Sequence, residues 1–212
     1  MIIEMVIWDC DGTLTTVKSA WQWIHEQMGT WDRGKQHLND FLGGKIEYKE
    51  FAIKDAFEWK GLPEVRLMNI LKRIPIRDRC GETLLWFQDL GVKQILISSG
   101  LSHLVQYISS IFPVFAYEIA NELEIGKGEV SGDVKIRVPW GGKGIVGKEI
   151  CEKFKVEPSK VLAIGDSTSD LELFQLCGYS IAIDAPKEVT VAATWSVNEI
   201  GEIPKILETD SA

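Results

Sequence analysis

Two closely spaced aspartates come at the end of the first apolar run of the chain, and their spacing indicates phosphate chemistry. Residues 2–8 read as a β-strand, and Asp9 and Asp11 follow it. Side chains at positions i and i+2 of a strand point the same way, so the two carboxylates are expected to converge. Their repulsion requires a cation or a shared proton, and a metal ion is the expected cation. Gly12 permits the sharp turn that leaves the strand.

This motif alone is also compatible with an ordinary turn, because Asp, Gly and Thr are common turn residues. Three further clusters follow an apolar run or open an apolar-periodic helix: Ser98 with Ser99 and Gly100, Lys143, and Asp166 with Asp170. Such positions are expected where strands end and helices begin, which is where open α/β sheets bind ligands. The four clusters together, rather than any one of them, predict a phosphate site.

The order and spacing of these four clusters resemble those of the haloacid dehalogenase superfamily of phosphatases, and within it the phosphoserine phosphatase-like group. The resemblance covers nearly the whole chain. It implies that Asp9 is the nucleophile, since a carboxylate that attacks phosphorus forms an aspartyl-phosphate and divides the hydrolysis into two displacements. Asp11 would protonate the leaving alkoxide and then deprotonate the attacking water.

The other motif residues are expected to bind the phosphoryl group. The hydroxyl of Ser98 would contact the phosphoryl oxygens, assisted by residues of the two loops that meet it: Gly12, Ser99 and Gly100. Lys143 would bring positive charge to the anion that develops during transfer.

Mg²⁺ is the predicted cofactor, because it prefers oxygen ligands and usually keeps several waters. Its predicted protein ligands are Asp9, the backbone carbonyl of Asp11, and Asp166. Asp170 is expected in the same metal site, where it would orient a metal-bound water.

The elements that position these residues indicate an α/β fold with a Rossmann-like, mainly parallel sheet and helices on both faces, because strands alternate with helices along most of the chain. After the first strand, further strands are predicted at residues 94–97, 161–164, 179–183 and 194–197. Residues 115–138 break the alternation, and the glycines at 126 and 128 indicate a hairpin turn in an antiparallel extension.

A helical cap is predicted at residues 15–75, while residues 1–14 and 76–212 form the predicted catalytic core. An insertion directly after the nucleophile is where a lid over the site has to be attached. The cap contains four tryptophans, most of them expected in its core and one or two facing the substrate: Trp21, Trp23, Trp31 and Trp59.

Composition fits one α/β domain with an insertion. With 212 residues, 45% of them hydrophobic, the chain is long enough to bury a sizeable core. A formal net charge of −8 without a dense Lys/Arg tract argues against nucleic-acid binding. The apolar runs are too short for a secretory signal or a membrane span, so a soluble cytoplasmic protein is expected. The sequence leaves the oligomeric state open.

The alcohol portion of the substrate is less well defined than the chemistry. In phosphoserine phosphatases an acidic residue shortly after the first motif holds the substrate amine, and Lys18 stands at the matching position. An arginine of the cap holds the substrate carboxylate, but residues 53–55 contain none. We therefore predict a small phosphate monoester as the substrate, with phosphoserine as one possibility. The candidates to replace the missing groups are Lys18, Lys49 and Arg66, each with a different geometry, and Lys18 is the predicted substrate-binding residue.

Three alternatives would use much of the same residue set. A phosphotransferase or phosphomutase would form the same aspartyl-phosphate and pass the phosphoryl group to another acceptor. A dehalogenase would need neither Asp11 nor Mg²⁺. A non-catalytic phosphate-binding protein would retain the fold alone, and the intact set of acid, base, serine and lysine argues against it.

Overall fold

A seven-stranded sheet forms the centre of the structure, a computed structural model that describes residues 2–210. The strands are β1 (Met5–Trp8), β2 (Lys93–Leu101), β3 (Phe115–Gly126), β4 (Glu129–Lys135), β5 (Val161–Gly165), β6 (Tyr179–Ile183) and β7 (Trp195–Val197). Their order is β4-β3-β2-β1-β5-β6-β7, and every adjacent pair is parallel except β3 and β4. The predicted α/β class with a mainly parallel sheet is confirmed.

Ten helices accompany the sheet within this range: α1 (Ala20–Met28), α2 (Trp31–Leu42), α3 (Tyr48–Glu58), α4 (Glu64–Leu71), α5 (Cys80–Asp89), α6 (Ser102–Ile111), α7 (Lys143–Phe154), α8 (Leu171–Leu176), α9 (Lys187–Ala192) and α10 (Ile203–Thr209). They bury two apolar cores, one on each face of the sheet. One core contains residues of α5, α6 and α10, and the other contains residues of α7, α8 and α9. Helices on both faces are therefore confirmed.

The central strand β1 explains why the first apolar run has no polar alternation. Val6 and Trp8 belong to one core, whereas Met5 and Ile7 belong to the other. All four side chains are fully buried, as expected for a parallel strand that is covered on both faces. The strand begins at Met5 and not at residue 2, so the prediction was three residues too long at its start.

Strand register brings the predicted clusters to one edge of the sheet. Trp8 pairs with Leu96 on one side and with Ile164 on the other. The backbone amide of Asp9 donates a further hydrogen bond to the Ile164 carbonyl at 2.9 Å. The carboxyl ends of β1, β2 and β5 therefore meet, which is where a parallel sheet presents ligand-binding residues.

Helices α1 to α4 occupy the segment predicted as a cap. Thr15 and Ile76 form an antiparallel bridge at the base of this segment, so its two ends leave the sheet side by side. The far side rests on the β3–β4 hairpin, where Gly61 N donates to Val130 O and Val130 N donates to Leu62 O, each at 2.9 Å. The division of the chain into cap and core at residues 15 and 75 stays a prediction.

The β3 segment differs from the sequence prediction in its pairing. The predicted antiparallel hairpin is present, with Leu123 opposite Val134. The first half of β3 also pairs in parallel with β2, where Ile95 lies opposite Tyr117. Helix α6 joins these two strands as a crossover connection, and such a connection produces parallel pairing. Sequence periodicity shows that a strand is present but not which neighbour it pairs with.

Candidate active site

Asp9 lies at the end of β1 with both carboxylate oxygens in contact with other side chains. Its Oδ1 accepts a hydrogen bond from Lys143 Nζ at 2.5 Å, and its Oδ2 accepts one from Thr13 Oγ1 at 3.3 Å. The residue is only 5% exposed, and this burial raises the pKa of Asp9 well above its ordinary value. A carboxylate in this position is costly without positive charge beside it, and Lys143 supplies part of that charge.

Asp11 lies against the start of helix α1. Its Oδ2 accepts a hydrogen bond from the Ala20 amide at 3.2 Å, whereas its Oδ1 is buried without a partner among the residues described. Burial, opposed by the hydrogen bond from Ala20, raises the pKa of Asp11 to about 6. One oxygen of this carboxyl group is therefore held in place, and the other is free to carry a proton.

Position 12 requires a glycine for two reasons: its backbone conformation, and the close approach of a neighbouring carboxylate. Its φ is +76°, and a Cβ at this position would lie 2.1 Å from Asp166 Oδ2. Its carbonyl accepts two hydrogen bonds from the buried Arg77 guanidinium, from Nε at 3.2 Å and from a terminal nitrogen at 2.7 Å. Arg77 also contacts Asp184 at 3.0 Å. These bonds hold the turn after β1 against the loop after β6.

Lys143 is the cation of the site and opens helix α7. It is 1% exposed, and its Nζ lies 2.5 Å from Asp9 Oδ1 and 2.6 Å from Asp170 Oδ1. Burial alone would lower the pKa of Lys143, but the carboxylates of Asp170 and Asp9 raise it above its ordinary value. The lysine is therefore a fixed positive charge and not a proton donor at neutral pH.

Asp170 is fully buried and uses both of its oxygens. Its Oδ1 accepts from Lys143, and its Oδ2 accepts from the backbone amides of Asp166 and Ser167 at 3.1 and 3.0 Å. It therefore orients the lysine and closes the loop after β5. Its predicted role beside a metal-bound water stays a prediction.

A cluster of three carboxylates lies beside the lysine. One oxygen each of Asp9, Asp166 and Asp170 lies within 4.8 Å of the others, and all three residues are buried. Burial, and then repulsion by Asp170, raises the pKa of Asp166. Oxygen donors of this kind, brought together against their own repulsion, fit a hard divalent cation. The carboxylate of Asp11 lies outside this cluster. The predicted metal ligand of Asp11 is its backbone carbonyl, and that contribution stays a prediction.

Ser98, Ser99 and Gly100 belong to the end of β2. Ser98 Oγ accepts the Gly100 amide at 2.9 Å, which leaves the hydroxyl hydrogen of this buried side chain free to donate. A Cβ at Gly100 would lie 2.4 Å from Asp11 Oδ2, so the loop passes close to that carboxyl group. The Ser99 carbonyl points toward the cap and accepts three hydrogen bonds, from Trp21, Tyr48 and Asn121.

Asn121 links this loop to the cap and to the segment before Lys143. Its Nδ2 donates to Ser99 O, Tyr48 Oη and Val138 O at 2.8, 3.1 and 3.1 Å. Its Oδ1 accepts the amides of Arg137 and Val138 at 2.8 and 2.9 Å. Neither Asn121 nor Arg77 was predicted from the sequence, because no local motif marks either residue.

Lys18 contacts the acidic cluster and the loop after β6. Its Nζ lies 3.0 Å from Asp166 Oδ2 and donates to the Asp184 carbonyl at 2.7 Å. The side chain is about half exposed, so this charge is partly screened by water. Its predicted contact with substrate stays a prediction.

One pocket of about 220 Å³ joins the predicted residues to the cap. Its core end is lined by most of the predicted site residues: Asp9, Asp11, Lys18, Ser98, Ser99, Gly100 and Lys143. Its cap end is lined mainly by apolar side chains of α1, α2 and α3. Trp21 and Trp31 line it, whereas Trp59 is buried in the cap. That one or two of the cap tryptophans face the substrate stays a prediction.

No helix within residues 2–210 is long and apolar enough to cross a membrane.

Comparisons with known proteins identify a family and a fold. The haloacid dehalogenase-like hydrolase family matches residues 6–175. A phosphoserine phosphatase of Archaeoglobus fulgidus is 26% identical over 197 residues, which cover 92% of this chain and 57% of that protein. A phosphoserine phosphatase of Halobacterium salinarum is 23% identical over 207 residues, which cover 97% of this chain and 98% of that protein.

A solved structure described as a phospho-aspartyl intermediate analogue of phosphoserine phosphatase has the same fold. Its TM-score is 0.84 at 23% identity, and the match covers 97% of this chain and 99% of that one. The chain thus spans just over half of the Archaeoglobus relative and nearly all of the Halobacterium one.

Proposed function

Because this chain belongs to the haloacid dehalogenase-like hydrolase family, we propose that it is a phosphatase that hydrolyses a small phosphate monoester through a phosphorylated Asp9. One observation carries the proposal: a buried carboxylate, 2.5 Å from a buried lysine, lines a pocket together with a serine hydroxyl and a second carboxyl group. A structural ion pair alone would require neither the serine and the second carboxyl group nor a pocket beside them.

Asp9 attacks the phosphorus of the bound ester, and the bond from phosphorus to the alcohol oxygen breaks. Lys143 stays protonated throughout, so it compensates the negative charge on the transferring group without entering the proton balance. The hydroxyl of Ser98 donates to a phosphoryl oxygen, since its oxygen is already occupied as an acceptor for the Gly100 amide.

Asp11 is suited to both proton transfers. With a pKa of about 6, its carboxyl group is protonated in part of the molecules near neutral pH and ionised in the rest. Oδ1, which has no partner among the described residues, donates a proton to the leaving alkoxide. The resulting carboxylate then takes a proton from the water that hydrolyses the aspartyl-phosphate.

The acidic cluster is proposed to hold Mg²⁺, with Asp9, Asp166 and the backbone carbonyl of Asp11 as ligands and Asp170 beside them. Three buried carboxylate oxygens within 4.8 Å of one another are the donor set that this ion prefers. When bound, Mg²⁺ would add positive charge opposite the phosphoryl oxygens. Lys18 already neutralises part of Asp166, so this pair would have to adjust when the ion binds.

The proposed substrate class is a small phosphate monoester. The relatives named above are phosphoserine phosphatases, and phosphoserine remains within the class. Lys18, at the position matching the acidic residue in those enzymes, contacts Asp166 in this structure.

The test is release of inorganic phosphate from p-nitrophenyl phosphate with Mg²⁺ and with excess chelator. We expect release only with the metal, and Asp9→Asn should lower kcat by at least about 10⁴-fold, the scale seen when a nucleophile is removed. Circular dichroism should show an unchanged fold. Turnover retained by Asp9→Asn would refute the assignment of the nucleophile. Adding an acceptor alcohol and analysing the products separates hydrolysis from phosphotransfer.

A further inference from the structure

The cap end of the pocket is an aromatic surface. Phe41 packs against Phe51, with ring centroids 5.3 Å apart and an interplanar angle of 9°, and against Tyr48 at 5.6 Å. Trp140, from the loop that precedes α7, meets the edge of Phe41 at 6.4 Å. Trp21 and Trp31 complete the wall from α1 and α2. Rings from three helices and one core loop therefore enclose the space above the nucleophile.

This surface offers no free cation to a substrate carboxylate. Among the described residues that line the pocket, the cations are Lys143 and Lys18, and both are paired with the carboxylates of the core end. A carboxylate carried into the cap end would lose its hydration without gaining a counter-ion, which is costly. The pocket therefore disfavours an acidic alcohol portion.

Among residues 2–210, the acidic side chain at the cap end of the pocket is Asp55, and two histidines of the cap approach it. Its Oδ1 hydrogen-bonds to His37 Nδ1 at 2.8 Å, whereas His25 Nε2 lies 3.2 Å from the same oxygen without forming a hydrogen bond. Asp55 is 2% exposed and His25 is fully buried, so these contacts lie inside the cap. Asp55 is therefore anchored to the cap through Oδ1, and a cationic ester is included in the test below because these contacts leave Oδ2 out.

The size of the pocket is sufficient for a ring. Apolar cavities of roughly 150 Å³ bind benzene, so about 220 Å³ accommodates one ring beside a phosphoryl group. Flat rings also pack against the faces and edges of the aromatic wall at favourable distances.

We infer that the substrate of this site is the phosphate monoester of an uncharged alcohol that carries a single flat apolar ring. The inference rests on the proposed phosphatase function and deepens it. The core end binds the phosphoryl group, and the cap end buries the ring against the aromatic wall that Phe41, Phe51 and Trp140 form. Preference for the ring arises from removing apolar surface from water, and the lack of an unpaired cation disfavours an acidic alcohol.

The test compares kcat/KM for four alkyl phosphates: 2-phenylethyl phosphate, propyl phosphate, phosphoethanolamine and phosphoserine. All four have alkoxide leaving groups, so preference for the phenyl compound cannot come from a phenolate leaving group. We expect kcat/KM for 2-phenylethyl phosphate to exceed that for phosphoserine by about 100-fold, within the range that hydrophobic pockets achieve. Equal or higher values for phosphoserine or phosphoethanolamine would overturn the inference, and the latter would identify Asp55 as an ammonium receptor.

A matched pair of variants on α3 locates the preference. Phe51 lines the pocket, whereas Phe57 is 61% exposed on the same helix and does not. Phe51→Ala should lower kcat/KM for 2-phenylethyl phosphate about 10-fold more than it lowers kcat/KM for propyl phosphate. Phe57→Ala should change neither value. Equal losses for both esters in Phe51→Ala would show that the ring does not bind there.

Binding of phosphonates separates this inference from the proposed function, because it needs no turnover. Calorimetry should show 2-phenylethylphosphonate binding the wild-type protein at least about 10-fold more tightly than 2-aminoethylphosphonate. If no ester is hydrolysed but this preference holds, the phosphatase proposal fails and the pocket assignment stands. If esters are hydrolysed and the preference is absent or reversed, the phosphatase proposal stands and the ring-binding inference is refuted.

Discussion

The core end and the cap end of the pocket differ in how their side chains are held. At the core end, Lys143 contacts two carboxylates, and Asp170 uses both of its oxygens within its own loop and on that lysine. At the cap end, Phe41, Phe51 and Trp140 contact one another through ring faces and edges. The first set is directional and charged, and the second is apolar.

This difference indicates what each end is able to vary. A buried charge that loses its partner is strongly destabilising, so the core end is constrained to one geometry. Apolar contacts have no fixed direction, and side chains of similar volume replace one another at small cost. The folding energetics therefore hold the core end to one arrangement of charges, whereas the cap end is free to set the preference for an alcohol.

The two ends meet at the Ser99 carbonyl. Trp21 and Tyr48 of the cap donate to it at 3.3 and 3.0 Å, and Asn121 of the core donates at 2.8 Å. A single backbone oxygen of the segment Ser98–Gly100, which is proposed to bind the phosphoryl group and is called the phosphate loop below, thus positions two cap aromatics. Changes at this point should affect substrate binding more than the chemical step.

The largest effect is expected when the charge pairing at the core end is broken. Lys143→Met should lower kcat/KM by about 10³-fold through lost charge stabilisation and lower the free energy of unfolding by about 3–5 kcal/mol, because Asp9 and Asp170 lose their buried counter-ion. Urea denaturation and phosphate release measure the two effects. Lys148→Ala, an exposed lysine of the same helix, is the control and should change neither. An unchanged stability would contradict the account of the core end.

The next effect concerns the acidic cluster. Saturating Mg²⁺ should raise the free energy of unfolding by about 2.7 kcal/mol when its concentration is 100 times Kd. Asp166→Asn should lose most of this gain, and without metal it should be no less stable than the wild type, because burial and Asp170 disfavour its charge. Thermal unfolding with Mg²⁺ and with chelator measures both. The control is Asp133→Asn, at an exposed position, which Mg²⁺ should stabilise as much as the wild type. If Mg²⁺ stabilised Asp166→Asn by the full amount, Asp166 would be excluded as a metal ligand.

A smaller effect is expected at the residue that joins the two ends. Asn121→Leu should lower the free energy of unfolding by about 1–3 kcal/mol, because buried groups such as the Val138 amide lose their hydrogen-bond partner. KM should rise more than kcat falls, since the phosphate loop and Tyr48 are displaced together. Steady-state kinetics and urea denaturation provide the measurements. A fall in kcat alone would show that Asn121 acts on the chemical step. The control is Asn198→Ala, at an exposed position, which should change neither the kinetics nor the stability.

The smallest effect is expected from removing either of two indole hydrogen bonds. Trp21 Nε1 donates to Ser99 O across the cap and core, whereas Trp23 Nε1 donates to Ile70 O within the cap. Each change to Phe should cost about 0.5–1.5 kcal/mol of unfolding free energy. Only Trp21→Phe should also raise KM, because only it loosens the cap on the phosphate loop. Equal KM values in the two variants would show that this bond does not position the cap.

Much of the site was predictable because its residues follow local rules. Asp9, Ser98 and Asp166 come where apolar runs end, and parallel strands bring such ends to one edge. The helical character of the segment after β1 was likewise visible in its periodicity and in the absence of a strand signal. Strand ends were less accurate: β2 continues through Ser98 to Leu101, because its pairing with β3 extends the ladder.

The sequence by itself determined the proposed chemistry: the residue types and spacing predict the nucleophile, the second carboxyl group, the lysine and the acidic loop. Only the tertiary structure decided how they are held and what faces them. Arg77 reaches Gly12 across 65 positions, Asn121 reaches Ser99 across 22, and neither contact has a local signature. The apolar character of the cap end also became visible only when helices and a core loop brought their rings together, because hydrophobic residues of a helix look alike in sequence whether they face a core or a pocket.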